Sequence, residues 1–276
     1  MTQTMAAVQT AKMPDGAIQA YRDSQGCGET IVLLHGISSG AASWQQQFAS
    51  LGQNHRLIAW DAPGYGLSDG LNTTQPSAVD FATRLQALVD VLQLESFVLV
   101  GHSLGALIAS AYASLQAARL KGLLLANVAQ GYGRCDAEKQ EQVFLKRPTL
   151  LKKLGNVGMA AERGPALVWR KSPEQVALIT EVMQGLTLSG FTNASYLLAH
   201  DSILNYLPVS GLNTHIVYAE QDDITPKQDM QTLAQTIALP ASHLHGINEA
   251  GHLSYLDQAD AFNQVLAQLL HNNNKA

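Results

Sequence analysis

Residues 97–107 read FVLVGHSLGAL, an apolar run that meets Gly-His-Ser-Leu-Gly and passes straight into an alanine-rich stretch. A tight turn accounts for the two glycines and leaves the serine unexplained. A sharp strand-to-helix turn would expose a serine hydroxyl, and its strained backbone wants tiny neighbours on both sides. Gly101 and Gly105 are such neighbours of Ser103. The following LGALIASAYAS is rich in small residues, so a helix there can pack closely under the turn. Its N-terminus would offer free N–H groups and a positive dipole end to developing negative charge. In a chain with 22 glycines the bare pattern arises by chance, in roughly one chain in ten of this length. The flanking strand and small-residue helix are what make Ser103 the candidate nucleophile.

Outward from this stretch, TIVLLHG (30–36), RLIAWD (56–61), GLLLANV (122–128), HIVYAE (215–220) and ASHLHGI (241–247) are expected to be strands. Continuous apolar runs of this kind suit parallel strands covered on both faces. Between them SAVDFATRLQALVDVL repeats apolar residues every three to four positions, at Ala78, Phe81, Ala82, Leu85, Leu88, Val89 and Leu92, which is one helical face. The segment DQADAFNQVLAQLL does the same. Strand–helix alternation at this spacing predicts an α/β fold: a doubly wound, mostly parallel sheet with functional residues at the carboxyl ends of its strands.

The alternation stops between 130 and 208. Helical pieces punctuated by Pro148, Pro165, Pro173 and Pro208 take over, among them SPEQVALITEVMQGL, with Ser172 as cap, Pro173 at the first helical position and Gln175 completing a capping box. The expected organisation is a core of residues 1–129 and 209–276 with residues 130–208 inserted as a helical lid. Beyond the polar tail HNNNKA there is no low-complexity segment.

Composition narrows the function classes. The 276 residues are 46% hydrophobic and 14% charged, with a net charge of −5 and a pI near 6.0, which suits a globular protein and argues against nucleic-acid binding. No apolar run is long enough to span a membrane, and MTQTMAAVQTAKMPDG lacks the basic start and apolar core of a secretory signal. Cys27 and Cys135 are too few for a disulfide framework or a tetrahedral zinc site. A cytoplasmic location is expected, with the oligomeric state left open.

A nucleophilic serine needs a base, an acid that orients the base, and donors for the oxyanion. After a nucleophile of this type the acid and then the histidine follow in chain order. HIVYAEQDDITP ends a strand with Asp222 and Asp223, and INEAGHLSYLDQADAF places His252 in a loop before the terminal helix. His102 is a structural neighbour of the nucleophile rather than its base. His243 and His245 share a strand face, yet no Cys or carboxylate joins them at ligand spacing, so no metal is expected. For the oxyanion, the backbone N–H of Leu104 follows the nucleophile, and Ile37 in VLLHGISSG can supply a second.

Four motifs, HGISSGAASW, DAPGYGLSD, GHSLG and GHLSYLDQADAF, occur in the order found in α/β-hydrolase-fold proteins, and the chain resembles that family over nearly its whole length. The resemblance extends to AEQDDITP, which is similar to the family's Gly-x-x-Asp-x-x-x-Pro acid loop with Ala219 in place of glycine. It implies Asp222 as the acid. Members that carry their acid after the sixth strand do so at a position held here by Asn127. It also implies a cap for residues 130–208. DAPGYGLSD makes a turn, through Pro63, Gly64 and Gly66, with no catalytic role. Ala106 replaces a familiar glycine.

Ser103 argues against the dehalogenases and epoxide hydrolases of the family, whose nucleophile is aspartate. HLSYLDQADAFNQVL and ITP look most like 3-oxoadipate enol-lactonases and small carboxylesterases. Hydrolases of carbon–carbon bonds in aromatic ring-fission products usually show a Gly-Pro-Gly type loop and an aromatic after the histidine, where this chain has ISSG and Leu253. The expected activity is therefore hydrolysis of a small carboxylic ester or lactone, with carbon–carbon cleavage or another non-ester activity on the same scaffold, such as cofactor-free oxygen chemistry, as the alternative and a purely binding role disfavoured by the full set of triad candidates. No cofactor is implied. The lid carries Arg147, Arg163, Arg170 and Lys171 close to Trp169; Arg163 and Arg170, with Trp169, are the candidates for holding a substrate carboxylate, and solvated arginines on lid helices are the alternative.

Overall fold

The computed structural model describes residues 5–273; the first four residues and the last three of the polar tail lie outside it. In chain order the elements are β1 (Val8–Lys12), β2 (Ile18–Asp23), β3 (Thr30–Leu34), α1 (Gln45–Leu51), β4 (Arg56–Trp60), α2 (Ala78–Val91), β5 (Phe97–His102), α3 (Leu104–Gln116) and β6 (Leu120–Ala126). Three helices follow, α4 (Ala137–Arg163), α5 (Pro173–Gln184) and α6 (Leu188–His200). The chain then returns through β7 (Thr214–Ala219), α7 (Lys227–Thr236), β8 (Leu244–Ile247), α8 (Ser254–Asp257) and α9 (Ala259–Asn273).

Among the described residues the strands form one eight-stranded sheet in the order β1-β2-β4-β3-β5-β6-β7-β8. The pairs β1·β2 and β2·β4 are antiparallel and the rest parallel. The α/β sheet expected from the apolar runs is thus present. Every residue of β5 is buried, as are all but the first of β3 and β4, so the sheet is covered on both faces. In α2 the apolar stripe Ala78, Phe81, Ala82, Leu85, Leu88 and Val89 is the buried side, and the helix begins in a capping box between Ser77 and Asp80.

Three local features differ from the sequence expectation. The β1–β2 hairpin was not anticipated, because VQTAK lies at a sheet edge and alternates exposed with half-buried positions, so it lacks the apolar run that marks the inner strands. The run at 241–247 begins as a turn of 3₁₀ helix after Pro240, and only Leu244–Ile247 pairs with β7. Pro148 lies inside α4 rather than at a helix end. The interruption of α4 falls instead at Gly155, whose φ of 64° and ψ of 179° are open only to glycine. In α5 the capping box of Ser172 and Gln175 with Pro173 in the first turn is formed.

The helical block is closed at its own base and bonded to the core at several points, two of which position the site. At its base the outgoing and returning chains bond to each other: Tyr132 N–H to Leu198 O at 2.9 Å, Gly133 N–H to Asp201 O at 2.8 Å and Ile203 N–H to Gln130 O at 2.8 Å. A Cβ on Gly131 would lie 2.1 Å from the Asp201 carbonyl oxygen, so this clasp requires a glycine. The second contact is the DAPGYG turn. Gly66 N–H donates to Gly185 O at 2.9 Å, Thr187 Oγ1 to Gly64 O at 2.7 Å, and Tyr65 pairs with Leu186 as an isolated bridge. The turn that the sequence marks as merely structural is therefore the bearing surface of the helical block.

Candidate active site

Ser103 sits between β5 and α3 with φ 54° and ψ −117°, a left-handed conformation that costs a non-glycine residue energy. The two glycines make the turn possible: a Cβ on Gly101 would lie 2.4 Å from the Gly105 carbonyl oxygen, and one on Gly105 would lie 2.4 Å from that of Leu34. The turn is held from below by Ser103 N–H bonding Ala126 O at 2.9 Å.

The structure brings Ser103, His252 and Asp222 into line, although they come from three separate loops. Ser103 Oγ is 2.9 Å from His252 Nε2, and His252 Nδ1 is 2.9 Å from Asp222 Oδ2. An ionised carboxylate only accepts, so Nδ1 carries the proton and the Nε2 lone pair faces the serine hydroxyl. Asp222 Oδ1 accepts from Ile224 N–H at 2.8 Å and Thr225 N–H at 3.1 Å; Oδ2 also accepts from Thr225 Oγ1 at 2.6 Å and Asn127 Nδ2 at 2.8 Å. Burial alone would raise the pKa of Asp222, but the adjacent His252 and the Thr225 donors outweigh it and hold the carboxyl below its usual range. Asp223 is exposed.

His102 packs its ring edgewise on that of His252, with centroids 4.8 Å apart, and its Nε2–H donates to the His252 carbonyl oxygen at 2.8 Å. Burial, reinforced by the neighbouring His252, pushes the pKa of His102 well below its ordinary value, so it is a neutral strut. His35 is similarly kept neutral, by burial above all; its Nδ1–H bonds Gly36 O at 2.8 Å while Nε2 accepts from Ala62 N–H at 2.9 Å. The loop that follows β3 is thereby pinned to the DAPGYG turn, a link completed by Tyr65 Oη donating to Ile37 O at 2.8 Å. Ile37 and Leu104 both line the cavity at Ser103, and the loop and turn hydrogen bonds of the described residues use neither of their N–H groups as a donor.

That cavity measures about 300 Å³ and runs from Ser103 and His252 up to the helical block, where Leu167, Leu198, Arg147 and Arg163 face it. Trp169 and Arg170, expected at the substrate, lie outside its lining. The Trp169 N–H is tied to Asp257 Oδ2 at 2.9 Å and half of the residue is exposed, while Arg170 is paired with Glu249 at the surface. Arg147 takes the place beside Arg163. Burial, with the charge of Arg163 nearby, pulls the Arg147 pKa down, against the opposing influence of Tyr132 and Tyr65. Among the described residues neither arginine has a carboxylate partner. The signal was present in the sequence: Arg147 stands four residues from each of the buried Val143 and Leu151, and Arg163 four from the buried Met159, so both occupy the apolar face of α4.

The sheet order together with a glycine-flanked serine in a left-handed turn after β5 defines an enzyme of the α/β, hydrolytic class. The chain belongs to the alpha/beta hydrolase family, which it matches over residues 31–265. It is 27% identical over 266 residues to a 2-hydroxy-6-oxononadienedioate/2-hydroxy-6-oxononatrienedioate hydrolase of Paraburkholderia phymatum, covering 91% of this chain and 90% of that one. It is 23% identical over 262 residues to 3-oxoadipate enol-lactonase 2 of Acinetobacter baylyi, covering 95% and 96%. Among solved structures, a thermophilic esterase from Thermogutta terrifontis, with malate bound, superposes with a TM-score of 0.84 at 25% identity, covering 97% of this chain and 99% of that one. The enol-lactonase from Burkholderia xenovorans shares the fold, with a TM-score of 0.81 at 21% identity and coverages of 95% and 100%.

Proposed function

We propose that the enzyme hydrolyses a small carboxylic ester or lactone that carries a free carboxylate, through an acyl-enzyme. The observation that carries this is the alignment of Ser103 Oγ, His252 and Asp222 at 2.9 Å per step on the floor of a cavity whose roof presents two unpaired guanidinium groups. Ser103 Oγ attacks the carbonyl carbon as His252 Nε2 takes its proton, and Asp222 stabilises the imidazolium. The oxyanion is received by the N–H groups of Ile37 and Leu104. As the intermediate collapses, His252 gives its proton to the leaving oxygen, and water repeats the sequence to release the acid and free serine. Arg147 and Arg163 of the lid hold the substrate carboxylate, as guanidinium groups suit carboxylate geometry.

A second reading, hydrolysis of a carbon–carbon bond in an aromatic ring-fission product, is favoured by one specific observation: the Paraburkholderia relative is named for a dioate substrate. The deciding experiment compares a carboxylated lactone, a nitrophenyl ester and a ring-fission dienone on purified enzyme, wild type and Ser103→Ala. Ester or lactone turnover that vanishes with Ser103 supports the first reading; turnover of the dienone alone replaces it with the second.

A further inference from the structure

Asn127 follows β6 directly and is fully buried, in a left-handed conformation with φ 46° that asparagine tolerates better than most residues. Its backbone N–H bonds Val217 O at 2.9 Å, which fixes it against β7. Its side chain faces two groups. Nδ2 donates to Asp222 Oδ2 at 2.8 Å, and Oδ1 accepts from Ser254 Oγ at 2.6 Å. The amide cannot be turned round, because an ionised Asp222 offers no proton to a carbonyl. Ser254 is itself fully buried and lies two residues beyond His252. The loop carrying the base and the carboxylate that orients it are therefore joined twice, once through Nδ1 of His252 and once through the Asn127 amide.

Resting on the triad assigned above, we infer that Asn127 is a positioning residue. It holds Asp222 Oδ2 toward His252 and, by sharing that oxygen's negative charge, sets the pH at which His252 becomes an active base. The second effect has a definite sign. Asp222 Oδ2 accepts from Asn127, Thr225 and His252 together, and each donor takes up part of its charge. Removing the amide leaves more charge for the His252 imidazolium, which then holds its proton to higher pH. The titratable and charged groups around His252 are Asp222 from the β7–α7 loop, the neutral ring of His102 from β5 and, lining the same cavity, Tyr132 and Cys135 before α4, Arg147 and Arg163 of α4 and Asp229 of α7. Of these only Asp222 is hydrogen-bonded to Asn127, so a change at position 127 reaches His252 through that carboxylate.

The test is the acid limb of kcat/KM against pH for two variants. Asn127→Gly deletes the amide while accepting the left-handed backbone, and Ser254→Ala keeps the amide's bond to Asp222 but removes its second anchor. In Asn127→Gly the limb is expected to move up by about half a unit, a part of the value of one hydrogen bond to a carboxylate, passed on to His252 through Asp222, with kcat lowered more than KM is raised; Ser254→Ala should shift it in the same direction by less. If both variants keep the wild-type limb on folded enzyme, Asn127 serves packing alone and the inference is overturned. Should Asn127→Gly fail to fold, the shift in Ser254→Ala decides. Failure of the triad itself would show differently, as retained activity in Ser103→Ala.

Discussion

Position 222 rather than its neighbour faces the histidine because the chain turns immediately after β7. Ile224 and Thr225 then offer both their N–H groups to one carboxylate oxygen, while the side chain of Asp223 is left in solvent. Asp222→Asn should lower kcat by about 10⁴, since the histidine tautomer is no longer enforced, whereas Asp223→Asn should stay within about tenfold. Steady-state kinetics on both variants would transfer the role if the ranking came out reversed. Ser103→Ala should fold and lose roughly 10³-fold or more of kcat. Legibility was greatest at this scale for the nucleophile, whose glycine-flanked turn is a local matter. Asn127 was noted only as an unused acid position, and its contact with Asp222 spans 95 residues; nothing in the sequence places the two side chains side by side.

At the scale of elements, α4 explains why only Arg163 of the three residues expected at the substrate lines the cavity. Arginine content marked the whole lid as a candidate, but what decides exposure is the face of the helix. Arg147 and Arg163 fall on the buried stripe; Arg170 falls in the connection before α5 and finds Glu249. Arg147→Ala and Arg163→Ala are each expected to reduce kcat/KM for a carboxylated lactone by about ten- to hundredfold, the value of a charged hydrogen bond, and to leave the methyl ester nearly unaffected. Arg170→Ala should change neither, and equal losses on both substrates would assign the cavity arginines to lid packing. The inner strands announced themselves by unbroken apolar runs. The β1–β2 hairpin did not, although Met13-Pro14-Asp15-Gly16 carries a recognisable turn, with Gly16 at φ 90°, between two polar alternating segments.

The molecule as a whole carries a second titratable assembly, at the end of β7 away from Asp222. The His215 ring stacks on that of His243 at 4.0 Å and lies parallel to that of His245 at 5.1 Å, and His215 Nδ1 is 2.9 Å from His245 Nε2. Burial first, then the two neighbouring imidazoles, pushes the His215 pKa down to about 4, and His245 is also lowered by burial and by His243. The unfolded chain therefore takes up protons near pH ~6.5 that the folded chain refuses. This contribution to stability is complete above that pH and is lost as pH falls toward about 4. The thermal midpoint should drop between pH 7 and 5, and His215→Gln should drop less over the same interval; an identical fall in both would remove these histidines from the account. Since β7 and β8 lead into the loops of Asp222 and His252, acid loosening of this strand pair is expected to reach those loops. Pairs such as His243 and His245 were visible in the sequence, but His215 joins them only through strand pairing. Among the described residues no helix is long and apolar enough to cross a membrane.

The clasp between residues 130–133 and 198–203 closes the helical block on itself before it reaches the sheet. A segment tied off at its own base leaves β6 and β7 paired when its helices are rewritten, except at residues 167–169, where Leu167 O accepts from Leu253 N–H and Trp169 N–H donates to Asp257, so that stretch is part of the seat of the His252 loop. Changes within the helices would alter the roof of the cavity first and reach the floor only through that stretch. A graft is expected to join at Gly131 and Asp201, where the two ends meet, provided that it keeps the Asp201 carboxylate that accepts from Ala78 N–H and the bonds of residues 167–169 to the His252 loop.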